Sequence, residues 1–267
     1  MIKVEGLTKA YHQHKVVDEV DIEIEKGKIT SFIGPNGAGK STVLAMVSRL
    51  IDKDNGKITI DDQDIASMKS NELAKKLAIL KQANHTELKI SVRQLVSFGR
   101  FPYSKGKLKK EDQAMIDKAL DYLGLTEIQD KYLSELSGGQ RQRAYIAMTI
   151  AQDTEYILLD EPLNNLDMKH SVQIMKILRR LVKEMNKTIV IVIHDINFAS
   201  CYSDRIIAIK EGKVEIAGIK NDVICEDVLR DIYDLEIKIQ EINGQRICVY
   251  FDDEYIEEEE EIKTLAM

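Results

Sequence analysis

Nine consecutive residues, Gly34-Pro35-Asn36-Gly37-Ala38-Gly39-Lys40-Ser41-Thr42, have the makings of a phosphate cradle. They fit the pattern G-x-x-x-x-G-K-[ST] at Gly34, Gly39, Lys40 and Ser41. Glycines let successive backbone N–H groups turn inward around phosphate oxygens, and the N-terminus of a following helix adds partial positive charge. Lys40 has the reach for β- and γ-phosphates, and the Ser41 hydroxyl can ligate Mg²⁺. Such a loop needs a strand before it and a helix after it. Ile29 to Ile33 is apolar and β-prone, and Thr42 to Leu50 has helical character. These residues are expected to bind a nucleoside triphosphate.

Further along, Tyr156-Ile157-Leu158-Leu159 reads as a buried parallel strand that ends in Asp160-Glu161-Pro162. Carboxylates at the C-terminal edge of such a strand face the crevice where α/β sheets hold ligands. Asp160 is placed to hold Mg²⁺ and Glu161 to polarise an attacking water, a contribution of about 10²–10⁴ in rate. A second buried strand, Thr188 to Ile193, is followed by His194-Asp195, which sets an imidazole at the same edge, within reach of a γ-phosphate. Gln82 follows a shorter β-like run, Leu77 to Leu80; by itself a glutamine there carries no message.

The elements that position these groups alternate along the chain. Residues 1–80 read as strands and turns around the loop and its helix, with Gly56 to Asp62 a strand ending in a polar turn. Residues 83–152 are mostly helical, with amphipathic stretches at Ser91–Phe98 and Glu111–Leu123. Residues 153–218 return to strand and helix. In the tail, Asn221 to Ile232 has a helical pattern. Leu235–Ile242 and Gln245–Phe251 flank Asn243-Gly244, the signal of a tight hairpin. Asp252 to Glu261 carries eight carboxylates in ten positions and reads as a solvated end.

Composition narrows the function classes. The 267 residues carry 45 acids against 38 bases, a net charge of −7, which argues against nucleic acid as a partner. No stretch approaches the ~18 apolar residues of a membrane span. The N-terminus opens on strand-like alternation rather than a signal peptide. Cys201, Cys225 and Cys248 form no C-x-x-C, which suits a reducing cytosol and disfavours a disulfide framework or a zinc site.

With these residues in place, the chain resembles the ATP-binding subunit of ABC transporters over nearly its whole length. Leu136-Ser137-Gly138-Gly139-Gln140 is similar to that family's signature, without substitution. The resemblance implies that it starts a helix, Gly139 to Gln152, and that Ser137, Gly138, Gly139 and Gln140 contact ATP held by another subunit. It implies that Gln82 senses γ-phosphate and Mg²⁺, that Tyr11 stacks on adenine beside Val16, and that His194 is the switch histidine. Asn164-Asn165-Leu166-Asp167 resembles the D-loop that links two ATP sites. Leu163 departs from the threonine common in the family.

The implied architecture is α/β, a P-loop NTPase with a RecA-like core and an antiparallel β subdomain. An α-helical subdomain spans about 83–152. Residues 1–218 would form the ATPase domain, and 219–267 a small extension of helix, hairpin and acidic tail. The implied assembly is a homodimer with two sandwiched ATP molecules, peripheral on the cytoplasmic face of the cell membrane. It would dock on integral permease subunits and, through them, serve an extracytoplasmic substrate-binding protein.

Soluble ABC proteins acting on ribosomes carry two cassettes per chain, and those of DNA repair insert long coiled coils; this chain has neither. Gly99-Arg100-Phe101-Pro102 and His194-Asp195-Ile196-Asn197-Phe198-Ala199, followed by Tyr202 and Asp204, resemble patterns of importers for ferric siderophores, haem and vitamin B12. Ferric siderophore is the leading expectation, with haem, cobalamin, zinc and manganese as alternatives. The alternative for Arg100 is a packing role in the helical region.

Overall fold

The structure, a computed structural model, describes residues 1–82, 89–164 and 166–251. The acidic run, Asn165 and residues 83–88 lie outside the described residues. The strands are β1 Ile2–Tyr11, β2 His14–Ile24, β3 Ile29–Ile33, β4 Asn55–Ile60, β5 Gln63–Asp64, β6 Leu77–Leu80, β7 Tyr156–Asp160, β8 Thr188–Val192, β9 Arg205–Lys210, β10 Lys213–Ile219, β11 Lys238–Ile242 and β12 Gln245–Val249. The helices are α1 Lys40–Val47, α2 Ser70–Lys76, α3 Val92–Phe98, α4 Phe101–Ser104, α5 Lys110–Tyr122, α6 Gly138–Ala151, α7 Met168–Met185, α8 Ile196–Tyr202, α9 Lys220–Val223 and α10 Glu226–Tyr233.

The apolar runs of β3 and β8 are buried along their whole length, as strands covered on both faces must be. They sit inside a six-stranded sheet of order β10-β9-β3-β8-β7-β6, in which only β10 runs antiparallel to its neighbour. Side-chain alternation divides the core between the two faces. Ile29, Ile33, Ile157, Leu159, Ile189 and Ile191 point to the face covered by α3, α5, α6 and the C-terminal elements. Phe32, Tyr156, Leu158, Val190 and Val192 point to the face covered by α1 and a second, antiparallel sheet of order β2-β1-β4-β5.

The register aims the chemistry. Leu80 pairs with Leu159, Asp160 with Val192, and Phe32 with Val192. The C-terminal ends of β3, β6, β7 and β8 therefore open together on one edge, and Gly34, Gln82, Glu161 and His194 leave the sheet at that edge.

Several expected boundaries shift, two of them for a plain physical reason. The helix placed at Gly139–Gln152 is α6, Gly138–Ala151, because Ser137 caps it: the Ser137 hydroxyl accepts Gln140 N–H and Gln140 Oε1 accepts Ser137 N–H. The single helix expected over Asn221–Ile232 breaks between α9 and α10. Val223 and Ile224 are both buried in the core, which places consecutive side chains inward and forces Cys225 into an extended conformation. Arg246 compensates by donating from Nη1 to the freed carbonyls of Asn221 and Ile224, at 2.6 and 2.8 Å. The expected hairpin forms at Asn243-Gly244, both at positive φ (51° and 71°), but its strands are shorter than the expected Leu235–Ile242 and Gln245–Phe251. Its Cys248 joins Leu229, Ile232 and Ile237 in the same core as the central sheet.

Candidate active site

The phosphate loop is held by close backbone approaches that only glycine allows. A Cβ on Gly34, at φ +134°, would lie 1.9 Å from the carbonyl oxygen of Ile209, and one on Gly39, at φ +99°, 2.5 Å from that of Val16. From behind, the phenol of Tyr233 accepts the Gly34 N–H, and Gly212 N donates to the Ala38 carbonyl at 3.1 Å. Gly39 then starts α1, whose first residue is Lys40.

Lys40 is buried, and its ammonium donates to the carbonyls of Gly34 and Pro35, each at 2.7 Å. Burial lowers its pKa, and the nearby Glu161 and Asp160 carboxylates work against that shift. Ser41 Oγ donates to Asp160 Oδ1 at 2.7 Å. Burial raises the Asp160 carboxyl, opposed by that Ser41 hydrogen bond.

Glu161 lies one residue past β7 in a left-handed conformation, φ 51°. Three side chains converge on its carboxylate. Gln82 Nε2 and Asn164 Nδ2 donate to Oε2, and His194 Nε2 lies 2.6 Å from Oε1. These groups and the loop residues Asn36 to Thr42 line a cavity of about 550 Å³, with Val16 on its wall. The arrangement can hold a polyphosphate in the loop and present a fixed carboxylate to a water at its end.

Mg²⁺ needs hard oxygen donors and commonly takes one or two carboxylates beside phosphate oxygens and waters, rather than a protein cage. The Asp160 carboxylate and the Ser41 hydroxyl, together at the end of the loop, fit that requirement. Among the described residues no cluster of three or more His, Cys, Asp or Glu offers a cage instead.

The structure thus gathers Val16, the loop, Ser41, Asp160, Glu161, Gln82 and His194. It leaves other expected residues apart. Tyr11 is half exposed at the end of β1, outside the cavity wall, with Lys9 Nζ 5.6 Å from its ring centre. Ser137, Gly138, Gly139 and Gln140 form the first turn of α6 and do not line the cavity. Asp167 caps α7 by accepting His170 N–H.

Two contributors were absent from the expected site. Asn164 belongs to the stretch that resembles the D-loop, and its spacing of three from Glu161 is the one signal the sequence offers for this contact. Tyr233 had no signal, because its contact with Gly34 spans 199 positions.

The residues taken as substrate markers have structural work. Asp195 caps α8, and Asn197 exchanges two hydrogen bonds with the Cys248 backbone, at 2.7 and 3.1 Å. Asp204 accepts Ile29 N–H and both guanidinium nitrogens of Arg179, which anchors the start of β3. Arg100 is buried, bonded to Asp112 and to the carbonyl of Ala151.

A profile of the family described as ABC transporter matches residues 17–164. A petrobactin import ATP-binding protein of Bacillus subtilis (strain 168) is 61% identical over 251 residues, covering 94% of this chain and all (100%) of that protein. A petrobactin import ATP-binding protein of Bacillus anthracis is 53% identical over 94% of this chain and 100% of its own length. Among solved structures, a dimeric ATP-binding cassette in a post-hydrolysis state, bound to ADP and Pi, is 31% identical. It superposes with a TM-score of 0.73 over 82% of this chain and 99% of that one.

Proposed function

Because this chain belongs to the ABC transporter family and is an ATP hydrolase of that family, we propose that it powers import of a ferric siderophore, petrobactin foremost, through separate permease subunits. The fold is that of a P-loop NTPase. The observation that carries the hydrolytic part is the convergence of Gln82, Asn164 and His194 on Glu161, beside the phosphate loop. The reading of the cargo is supported by the 61% identity to a protein named for petrobactin import.

When ATP enters, Lys40 exchanges the carbonyls of Gly34 and Pro35 for phosphate oxygens, and the loop N–H groups close around them. Ser41, Asp160 and the Gln82 carbonyl would hold Mg²⁺, which when bound neutralises charge on the phosphate oxygens. Glu161 takes the proton of the attacking water. Gln82, Asn164 and His194 keep its carboxylate from rotating away. His194 is placed to follow the γ-phosphate from the same edge of the sheet.

A second copy supplies the remaining contacts. Ser137 and the Gly138 N–H of one copy face the γ-phosphate bound by the other, so ATP joins the pair and hydrolysis releases it. The pair works from the cytoplasmic face of the membrane; no described helix is long and apolar enough to cross it. Uptake of radio-iron petrobactin in a strain lacking this gene tests the cargo. Wild type should restore uptake and Lys40→Ala should not. Normal uptake without the gene would reject petrobactin as cargo.

A further inference from the structure

Gly139 stands in a helix with an ordinary backbone conformation; it is absent from the positive-φ residues. Glycine in a helix is less favourable than alanine, so its own backbone gives no reason for it. The reason lies in a neighbour. A Cβ on Gly139 would fall 2.8 Å from both Cγ and Cδ2 of His170, and 3.2 Å from Nδ1. The imidazole occupies the space of the missing side chain.

That ring is fixed from its own helix. Asp167 Oδ1 lies 2.8 Å from both the backbone N and Nδ1 of His170, so the cap of α7 also sets the ring's orientation. One turn further along α6, on the same side of the helix, Gln142 Nε2 donates to the Pro162 carbonyl at 2.9 Å. The signature helix is therefore tied twice to the stretch around the D-loop, once to Pro162 beside catalytic Glu161 and once to His170 in the first turn of α7. His170 does not line the cavity of its own chain.

We propose that His170 is a positioning residue that sets the stance of Ser137 and Gly138 toward ATP held by a second copy; this rests on the sandwich dimer described above. The ring acts as a spacer between the D-loop cap and the first turn of α6. A shift of Pro162 or of Asp167, which flank the loop after the catalytic carboxylate, is passed to the signature turn through Gln142 and the His170 ring. Each chain thereby links the state of its own site to the fit of its signature on the other.

The test separates a chain's own nucleotide site from the contact it offers. In the hydrolysis-deficient Glu161→Gln background, fluorescent ATP binding is measured at protein concentrations below dimer formation, and ATP-driven dimerisation by light scattering. Adding His170→Ala should leave nucleotide affinity within about two-fold and weaken dimerisation about ten-fold or more. Gly139→Ala, which keeps the ring but crowds it, should also weaken dimerisation. Combining the two should be less damaging than their effects multiplied, because the methyl then fills the space of the lost ring.

Dimerisation unchanged by His170→Ala overturns the proposal, as does an equal loss of nucleotide affinity. Should His170→Ala fail to fold, Gly139→Ala alone decides, and undisturbed dimerisation in it overturns the proposal. If the Glu161→Gln parent itself stays monomeric with saturating ATP, the sandwich reading falls and the proposal falls with it.

Discussion

The hydroxyl of Tyr233, in the last turn of α10, accepts the N–H of Gly34, the first residue of the phosphate loop, at 3.0 Å. The same Gly34 offers its carbonyl to Lys40. One residue thus stands between a C-terminal phenol and the lysine of the phosphate loop. Lys210 reinforces the brace by donating to the Asp231 carbonyl and the Asp234 carboxylate at the end of α10.

Tyr233→Phe keeps the ring and removes the acceptor. A hydrogen bond of this kind is worth about 1 kcal/mol net, so KM for ATP should rise about five-fold with kcat little changed. Steady-state ATPase assays check this. An unchanged KM would make the contact incidental to nucleotide binding.

Alkaline stability should report the same region. Burial pushes the Tyr233 phenol up to about 12 and the Cys248 thiol up to about 11, against ordinary values of 10.0 and 9.0. The unfolded chain therefore loses these protons first as pH rises. The stability contributed by the neutral groups is fully present below pH 9 and is lost between pH 9 and 12. Urea midpoints should fall across that window, less steeply in Tyr233→Phe. A flat profile would contradict the burial of both groups.

Glu161→Gln should bind ATP with near-normal affinity while turnover drops by about 10²–10⁴. Phosphate release and equilibrium nucleotide binding, measured on the same preparation, check the two halves. Wild-type turnover would remove Glu161 as the base and return the role to another group on that edge.

Arg100 should matter for stability. Its Nε lies 3.0 Å from Asp112 Oδ1 and its Nη1 2.9 Å from the Ala151 carbonyl, and the Tyr103 ring lies against the guanidinium, 4.0 Å away. Arg100→Ala leaves Asp112 buried without its cation, which typically costs about 3–5 kcal/mol. Chemical denaturation should show that loss without a change in nucleotide affinity. A loss below about 1 kcal/mol would show that the pair does not support the helical region.

The central sheet was readable because its strands are short apolar runs bounded by turn residues, and because each proposed catalytic group comes soon after such a run. Glu161 and His194 could be placed at one edge from the two runs that precede them. The start of α6 was also written in Ser137 and Gln140, a capping pair that begins the helix one residue upstream of the expected boundary. Contacts made across the fold were not readable. The break after α9 depends on which side chains the core accepts, and Gly139 needs a ring from another helix. The substrate-like pattern around Asn197 and Asp204 records how the C-terminal hairpin and β3 are fastened, which a motif alone does not reveal.

The core shared between the central sheet and Val223, Ile224, Leu229, Ile232, Ile237 and Cys248 sets a lower limit on how far the protein can be trimmed. The match to the family profile ends at residue 164, well before β8 and β9, the parallel neighbours of β3. A fragment cut there, or even at residue 218, would expose a greasy sheet face and leave the phosphate loop without Tyr233 behind it. The smallest piece worth expressing is set by the underside of that sheet rather than by the end of the profile match.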